Sequence, residues 1–314
     1  MNKPLLLLVG PTSVGKTDVS IELAQRLDCE IISADSMMVY RYMNIGTAKP
    51  SPDEMNGIAH HMIDEVYPDE DFSVAVFRER AGRYIDDILS RGKLPLVVGG
   101  TGLYINSLTH NLDFSDTVSD PEYRIELNGI ASSRGNEYVH RMLKDIDPDS
   151  YRRLHPNDLK RIIRALEVYR HTGRTITEYQ ASSKIRPIEY DVCMIGLYME
   201  RSHLYQRINA RVDSMIERGL VDEVKGLLDM GYGAGLVSMQ GLGYKEIVPY
   251  ISGECSISDA KDTLKKNTRH FAKRQMTWFR RESRIHWIDA ESLASREALA
   301  ENIVGYIAGK LRDI

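Results

Sequence analysis

The sequence predicts an α/β chain: a core with a parallel sheet covered by helices, carrying an inserted, mainly helical domain. Three observations lead there. Over the first hundred residues, short continuous apolar runs alternate with segments of helical period, as for strands buried on both faces and joined by helical crossovers. The strand-like signal stops near Asp113 and resumes at Val192. The length of 314 residues exceeds one small module and suits two domains, or one core with an insertion.

Leu5 to Val9 is an unbroken apolar run, read as a buried strand; it is too short for the core of a secretory leader. Val19, Leu23, Ala24 and Leu27 then recur at helical spacing. Glu30 to Ser33 is a short strand. Ser73 can cap a helix whose apolar side is Phe77, Ala81, Ile85 and Ile88. Leu94 to Val98 is a second buried strand, and it runs into Gly99-Gly100-Thr101-Gly102. From 115 to 190 the chain is polar and helical in character, with an apolar stripe of Leu159, Ile162, Ile163, Leu166 and Tyr169. Val192 to Tyr198 restores a strand. One long helical pattern follows through Leu204, Ile208, Val212, Met215, Val224 and Leu227, and Ile285 to Ile288 is a last strand. The expected division is 1–114 with 191–314 for the core and 115–190 for the insertion.

The composition, 42% hydrophobic and 27% charged, is that of an ordinary globular chain and excludes a disordered or fibrous protein. No apolar run approaches the ~20 residues that span a bilayer, so a cytoplasmic protein with no membrane partner is expected. Cys29, Cys193 and Cys255 are odd in number and far apart, with neither metal-ligand nor disulfide spacing.

The net charge of −4 conceals strong segregation. Residues 51–71 hold seven acids and no Lys or Arg. Tyr151 to Arg174 holds seven Lys and Arg against two acids, and Lys261 to Arg284 holds nine against two. On a helix, Lys265, Arg269, Lys273 and Arg280 fall within about 80° of one another. In the middle run Lys160, Arg164 and His171 line the side opposite the apolar stripe. Two basic helical faces in an acidic chain point to a polyanion bound in one place.

Gly10-Pro11-Thr12-Ser13-Val14-Gly15-Lys16-Thr17 fits Gly-x4-Gly-Lys-[Ser/Thr], directly after a strand and before a helix. The glycines let successive amides point into one concavity, and the helix presents its positive end there. Lys16 adds a mobile cation, and the Thr17 hydroxyl can ligate Mg²⁺. This is a P-loop, a phosphate or pyrophosphate site. No guanine-specificity motif accompanies it, and no long apolar strand ends in an acid; Met62-Ile63-Asp64-Glu65 is too short a mimic.

Asp35 follows the strand at Glu30 to Ser33. In a doubly wound sheet it and Thr101 emerge at the same edge as the phosphate loop. A carboxylate there can act as general base or hold Mg²⁺ through water. Spacing alone leaves two classes open: a small-molecule kinase, and a transferase that takes its group from a pyrophosphate ester.

The stretch Asp35-Ser36-Met37-Met38-Val39-Tyr40-Arg41 with Ile45-Gly46-Thr47-Ala48-Lys49-Pro50 resembles a signature of tRNA dimethylallyltransferases (tRNA isopentenyltransferases). Further matches run in that family's order: His60-His61-Met62-Ile63-Asp64, Gly99 to Tyr104, Lys160 to Glu167, Arg211-Val212-Asp213, Gly241 to Glu246, and Ala272 to Arg280. They cover nearly the whole chain.

The resemblance implies transfer of the dimethylallyl group of dimethylallyl diphosphate to N6 of adenosine 37, beside the tRNA anticodon, with Mg²⁺ as cofactor. The phosphate loop Gly10 to Thr17 would hold the donor's diphosphate, although the motif is commonly labelled nucleotide-binding or ATP-binding. The target base would be flipped out to be reached. Lys16 and Arg211 would stabilise the leaving diphosphate, Thr17 would hold the metal, and Asp35 with Thr101 would orient the amine and accept its proton. The tRNA anticodon arm would meet Asp35, Ser36, Met37, Met38 and Thr101 at the base. It would meet Arg124, Leu159, Lys160, Arg161, Ile162 and Ile163 on the insertion, and Arg269 and Lys273 on the core. A monomer is expected.

Three positions depart from the family pattern. Met38 replaces a Gln that could read a base edge, and Tyr42 and Asn44 replace a Gly and an Asp. No Cys follows Arg284, so the C-terminal zinc finger of eukaryotic members is not expected. His60 and His61 are read as structural, since two histidines without a third ligand are weak evidence for a metal. The competing readings are a small-molecule or nucleotide kinase, an adenylate isopentenyltransferase, and an RNA-binding module with a vestigial phosphate loop.

Overall fold

The computed structural model of the chain describes residues 3–110, 120–183, 189–293 and 295–310. Two compact units are found, 1–109 with 189–314, and 110–188. Tyr190, expected as the last residue of the insertion, pairs with Lys3 in a core strand. The expected boundary at 114 lies outside the described residues.

The core unit runs β1 (Lys3–Val9), α1 (Lys16–Leu27), β2 (Cys29–Ser33), α2 (Pro52–Met55), β3 (His60–His61), α3 (Val74–Ser90), β4 (Leu94–Gly99) and α4 (Gly102–Thr109). The second unit holds α5 (Pro121–Arg134), α6 (Asn136–Arg141), α7 (Pro148–Arg153), α8 (Leu159–Thr172) and α9 (Ile176–Ser183). The core resumes with β5 (Tyr190–Tyr198), α10 (Arg201–Glu217), α11 (Leu220–Asp229), α12 (Tyr244–Ile251), α13 (Ile257–Phe279), β6 (Ile285–Asp289) and α14 (Arg296–Lys310).

Six parallel strands form one sheet in the order β3-β2-β4-β1-β5-β6. Central β1 shows why Leu5 to Val9 has no polar face. Leu6 and Leu8 pack with Val19 and Leu23 of α1 and Leu299 of α14, while Leu5, Leu7 and Val9 pack with Phe77, Ala81 and Ile85 of α3. Successive strand residues point to opposite faces, and helices cover both. The Ser73 cap is present, its Oγ accepting the Val76 N–H.

One element is added and one sequence expectation changes. The strand His60–His61 is too short to leave a periodic signal; its His61 ring lies 2.8 Å from Glu30, which also pairs with Arg91, a structural role. The long helical pattern is two helices, α10 and α11, separated at Gly219, which takes φ +95. The apolar period crosses the break because Val212, Leu220, Val224 and Leu227 all feed one cluster with Tyr244, Ile247 and Leu264.

The second unit has its own core of Leu127, Val139, Leu143, Ile162, Ile163 and Leu166. Glu167 is fully buried beneath it and accepts bonds from Arg124 Nε at 2.7 Å, the Asp120 N–H at 2.8 Å, and Arg164. Burial pushes this carboxyl up, but the bonds from Arg124, Asp120 and Arg164 more than offset that and leave it below the usual carboxylate range.

Candidate active site

Strands β1 and β4 are neighbours whose outgoing connections leave in opposite directions, β1 toward β2 and β4 toward β5. A crevice opens at the carboxyl ends of such strands. The phosphate loop, the turn after β2 and the turn after β4 meet there.

The loop geometry demands its residues. Gly10 takes φ +146, and a Cβ there would lie 2.5 Å from the Leu197 carbonyl oxygen. Ser13 takes φ +65, and its Oγ is buried without a hydrogen-bond partner, the condition of a donor whose acceptor is a ligand. Lys16 Nζ donates to the carbonyls of Gly10 at 3.0 Å and Pro11 at 2.8 Å. Closely surrounded by protein while still facing the cavity, its ammonium is lowered to about 8; burial is the cause, opposed by the Asp35 charge and reinforced by Arg211.

Asp35 is half-buried, and its Oδ1 accepts the Met37 N–H at 2.9 Å, which closes a tight local turn. Thr101 joins it: Thr101 Oγ1 accepts the Ser36 N–H at 3.1 Å, and the Thr101 N–H donates to the Ala34 carbonyl at 3.2 Å. Asp35 and Thr101 therefore stand together at the sheet edge, as expected of turns that follow neighbouring strands of a doubly wound sheet. Met38 faces the cavity with an apolar side chain, its sulfur 3.5 Å from the Ser33 hydroxyl.

Two cavities adjoin at this point. The first, about 360 Å³, is walled by the phosphate loop with Lys16, Thr17, Arg207, Arg211 and Arg218. The second, about 300 Å³, is lined by Met37, Ile208, Val212, Met215, Leu242 and Phe271, with Arg274 and Lys245 among its polar residues. Thr12, Asp35, Thr47 and Arg211 belong to both. One cavity is thus cationic and the other mainly apolar, and Asp35 stands where they meet.

Arg207, Arg218 and Arg274 were missed in the sequence. Arg207 had a signal, since it lies one helical turn before Arg211 on α10 and shares its face. Arg211 is held below its ordinary value by burial, with Arg218 and Arg207 as added like charges. An anion in the first cavity relieves that repulsion.

Gln275 of α13 was also missed. Its Oε1 accepts the Thr12 N–H at 2.9 Å, and its Nε2 donates to the Gly100 carbonyl at 3.0 Å. It ties the phosphate loop to the end of β4. Gln275→Glu leaves the Gly100 carbonyl facing an acceptor, a cost of about 1–3 kcal/mol. Calorimetry is expected to show inorganic diphosphate binding about tenfold weaker; unchanged affinity would remove Gln275 from the loop's support.

The basic stripe of α13 is only partly exposed. Lys265 Nζ pairs with Asp213 at 2.7 Å, and Arg269 donates to Asn209 Oδ1 at 2.6 Å. Both lie against α10, so the stripe divides; Lys273 and Arg280 stay exposed. In the second unit, Lys160 and Arg161 are exposed and Leu159 is half-buried. Ile162 and Ile163 are core residues, so their side chains support the helix whose Lys160 and Arg161 are exposed. Arg124 is engaged by both oxygens of Glu167, a structural duty the sequence did not reveal.

Among the described residues, no group of three His, Cys, Asp or Glu side chains can hold a metal. The oxygens that line the first cavity, the Thr17 hydroxyl and the Asp35 carboxylate, suit a Mg²⁺ that takes most of its ligands from water and substrate phosphates.

The IPP transferase family model matches residues 38–282, and an isopentenyl transferase model matches residues 3–69. A tRNA dimethylallyltransferase of Acetivibrio thermocellus is 53% identical over 304 residues, covering 97% of each chain. One of Alkaliphilus oremlandii is 52% identical over 314 residues, covering 100% of each. Among solved structures, a tRNA isopentenylpyrophosphate transferase of Bacillus halodurans superposes with a TM-score of 0.75 at 45% identity, over 99% of this chain and 97% of that one. A eukaryotic dimethylallyltransferase acting on tRNA superposes with a TM-score of 0.83 at 30% identity, over 98% of this chain and 80% of its own.

Proposed function

The chain belongs to the tRNA dimethylallyltransferase family, and we propose that it transfers the dimethylallyl group of dimethylallyl diphosphate to N6 of adenosine 37 in the tRNA anticodon arm. The observation that carries this is the position of Asp35 at the junction of a cationic and an apolar cavity.

The reaction breaks the allylic C1–O bond and forms a C1–N6 bond. Charge develops on the departing diphosphate oxygen, where Lys16, Arg211 and the loop amides receive it, with Arg207 and Arg218 on the same wall. Thr17 would hold a Mg²⁺ there, which would supply further neutralisation of the diphosphate charge. The adenine amine is a poor nucleophile because its lone pair is delocalised. Asp35 orients it and accepts its proton, and Thr101, tied to the same turn, helps hold the base. The apolar walls of the second cavity keep water from the electron-poor allylic carbon.

The test uses purified protein, Mg²⁺, dimethylallyl diphosphate and an unmodified anticodon stem-loop with adenosines 36 to 38. Intact mass of the RNA should rise by one dimethylallyl group. The gain should vanish when ATP replaces the donor, and when guanosine replaces adenosine 37. No gain from the donor would overturn the proposal, radiolabel passing from ATP to a small acceptor would favour a kinase, and efficient competition by AMP would favour a nucleotide acceptor.

The divided stripe on α13 makes a second test. Lys273→Ala should lower the log–log salt slope of stem-loop binding by about 0.7–0.9, one released counterion. Lys265→Ala, whose ammonium is already paired with Asp213, should leave the slope nearly unchanged. Equal effects would mean that the pairing does not hold on RNA binding.

A further inference from the structure

Glu223 lies on α11, outside the phosphate loop and the turns after β2 and β4. Its Oε2 accepts the N–H groups of Asn44 at 2.9 Å and Ile45 at 2.8 Å, and its Oε1 accepts the N–H of Gly46 at 3.0 Å. Three successive amides thus converge on one carboxylate, an anion nest filled by a side chain distant in sequence. The Tyr244 hydroxyl adds a fourth bond, donating to Oε1 at 2.7 Å. Tyr244 is fully buried, and Gly46 packs so closely on its ring that a Cβ there would lie 2.5 Å from ring carbons. Burial pushes the phenol well above its ordinary range, and the Glu223 charge adds to this, so Tyr244 remains a donor.

The same loop is anchored at its other end. The buried Lys49 ammonium donates to the Tyr40 carbonyl at 2.8 Å, Asn44 Oδ1 at 2.9 Å and Asp64 Oδ1 at 2.6 Å. Between the anchors, Ala48 sits at φ +51, a left-handed conformation that a non-glycine residue keeps only where its surroundings enforce it. Thr47 lines both cavities at their junction, and Ala48 and Lys49 line the first. Glu223 touches none of the space a substrate would fill, yet it holds the wall that divides that space.

We propose that Glu223, with Tyr244, is a positioning residue for prenyl transfer: it pins the amides of Asn44 to Gly46 so that Thr47 keeps donor and acceptor aligned at the junction. This rests on the proposed function. A displacement of about 1 Å at a reacting centre costs on the order of 10²-fold in rate. A loosened junction also admits water, which captures the allylic carbon and releases diphosphate without transfer.

The test compares wild-type chain, Glu223→Gln and Tyr244→Phe. Diphosphate release and transfer to the stem-loop are measured in parallel, together with hydrogen exchange of the amides at 44–46. For Glu223→Gln, kcat should fall at least about tenfold, stem-loop affinity should stay within about twofold, and diphosphate released per prenyl transferred should exceed one. The three amides should exchange at least about tenfold faster. Tyr244→Phe, which keeps the ring against Gly46, should show the same pattern at about a third of kcat, and decides the matter if Glu223→Gln fails to fold. A merely structural role would lower the active fraction but leave the release-to-transfer ratio at one, and that result overturns the proposal. So does unchanged exchange at 44–46. A wild-type chain that modifies no RNA would refute the function, while the exchange measurement would still judge the anchor.

Discussion

Asp35→Asn is expected to lower prenyl transfer by about 10²- to 10⁴-fold, the usual weight of a positioned proton acceptor, and to leave stem-loop affinity within about twofold. The substitution is nearly isosteric. The side-chain oxygen still accepts the Met37 N–H, so the turn after β2 should keep its shape. What is lost is the group that takes the amine proton, and one negative charge beside Lys16 and Arg211. Removing that charge makes the first cavity more cationic, so donor binding near pH 7 should hold or tighten while turnover collapses. Single-turnover transfer and donor affinity, measured on the same preparation, separate the two effects. Near-normal turnover would sink the role of Asp35.

Lys16→Met is expected to cost about 10²–10³ in kcat, as for loss of one preorganised donor to a developing oxyanion. The methionine keeps much of the apolar stem and removes the ammonium. Its pH dependence carries a sharper signature. With its value lowered to about 8 by burial, Lys16 is charged below that pH. Diphosphate raises it again on binding. Its contribution to affinity is therefore fully present below about pH 8, and it is lost as pH climbs above 8 toward the bound value. Calorimetric titration with inorganic diphosphate from about pH 7 to 10 should show this decline as the difference between the wild-type chain and Lys16→Met, the ionisation of the diphosphate itself being common to both. Parallel profiles would assign the titration to another group.

The sheet and the phosphate loop were legible because their signals are contiguous. Leu5 to Val9 announces a strand buried on both sides, and the spacing of Gly10, Gly15, Lys16 and Thr17 announces the loop that follows. The doubly wound topology put Asp35 and Thr101 at one sheet edge, where the Ser36 N–H does bond Thr101 Oγ1, and Arg211 of α10 lines the same cavity as Asp35. The basic helix of α13 was legible in phase but not in outcome. Helical period shows which residues share a face, but not that Lys265 and Arg269 would find Asp213 and Asn209 on a neighbouring helix. Burial of Ile162 and Ile163 was visible in the apolar stripe, yet the motif that contains them drew them into the RNA surface as well.

Local pattern and motif order were enough for the α/β class, five of the six strands among the described residues, the phosphate loop and the family. Each depends on neighbours a few residues apart, or on a match of residue types in order. The folded chain alone reveals that a polar and an apolar cavity share Asp35, that Gln275 braces Thr12 across 263 residues, and that Glu223 pins Gly46 across 177. Such bonds join backbone groups to side chains from distant helices. A backbone N–H is common to every residue but proline, so no local pattern marks which amide a far-off carboxylate or amide will claim.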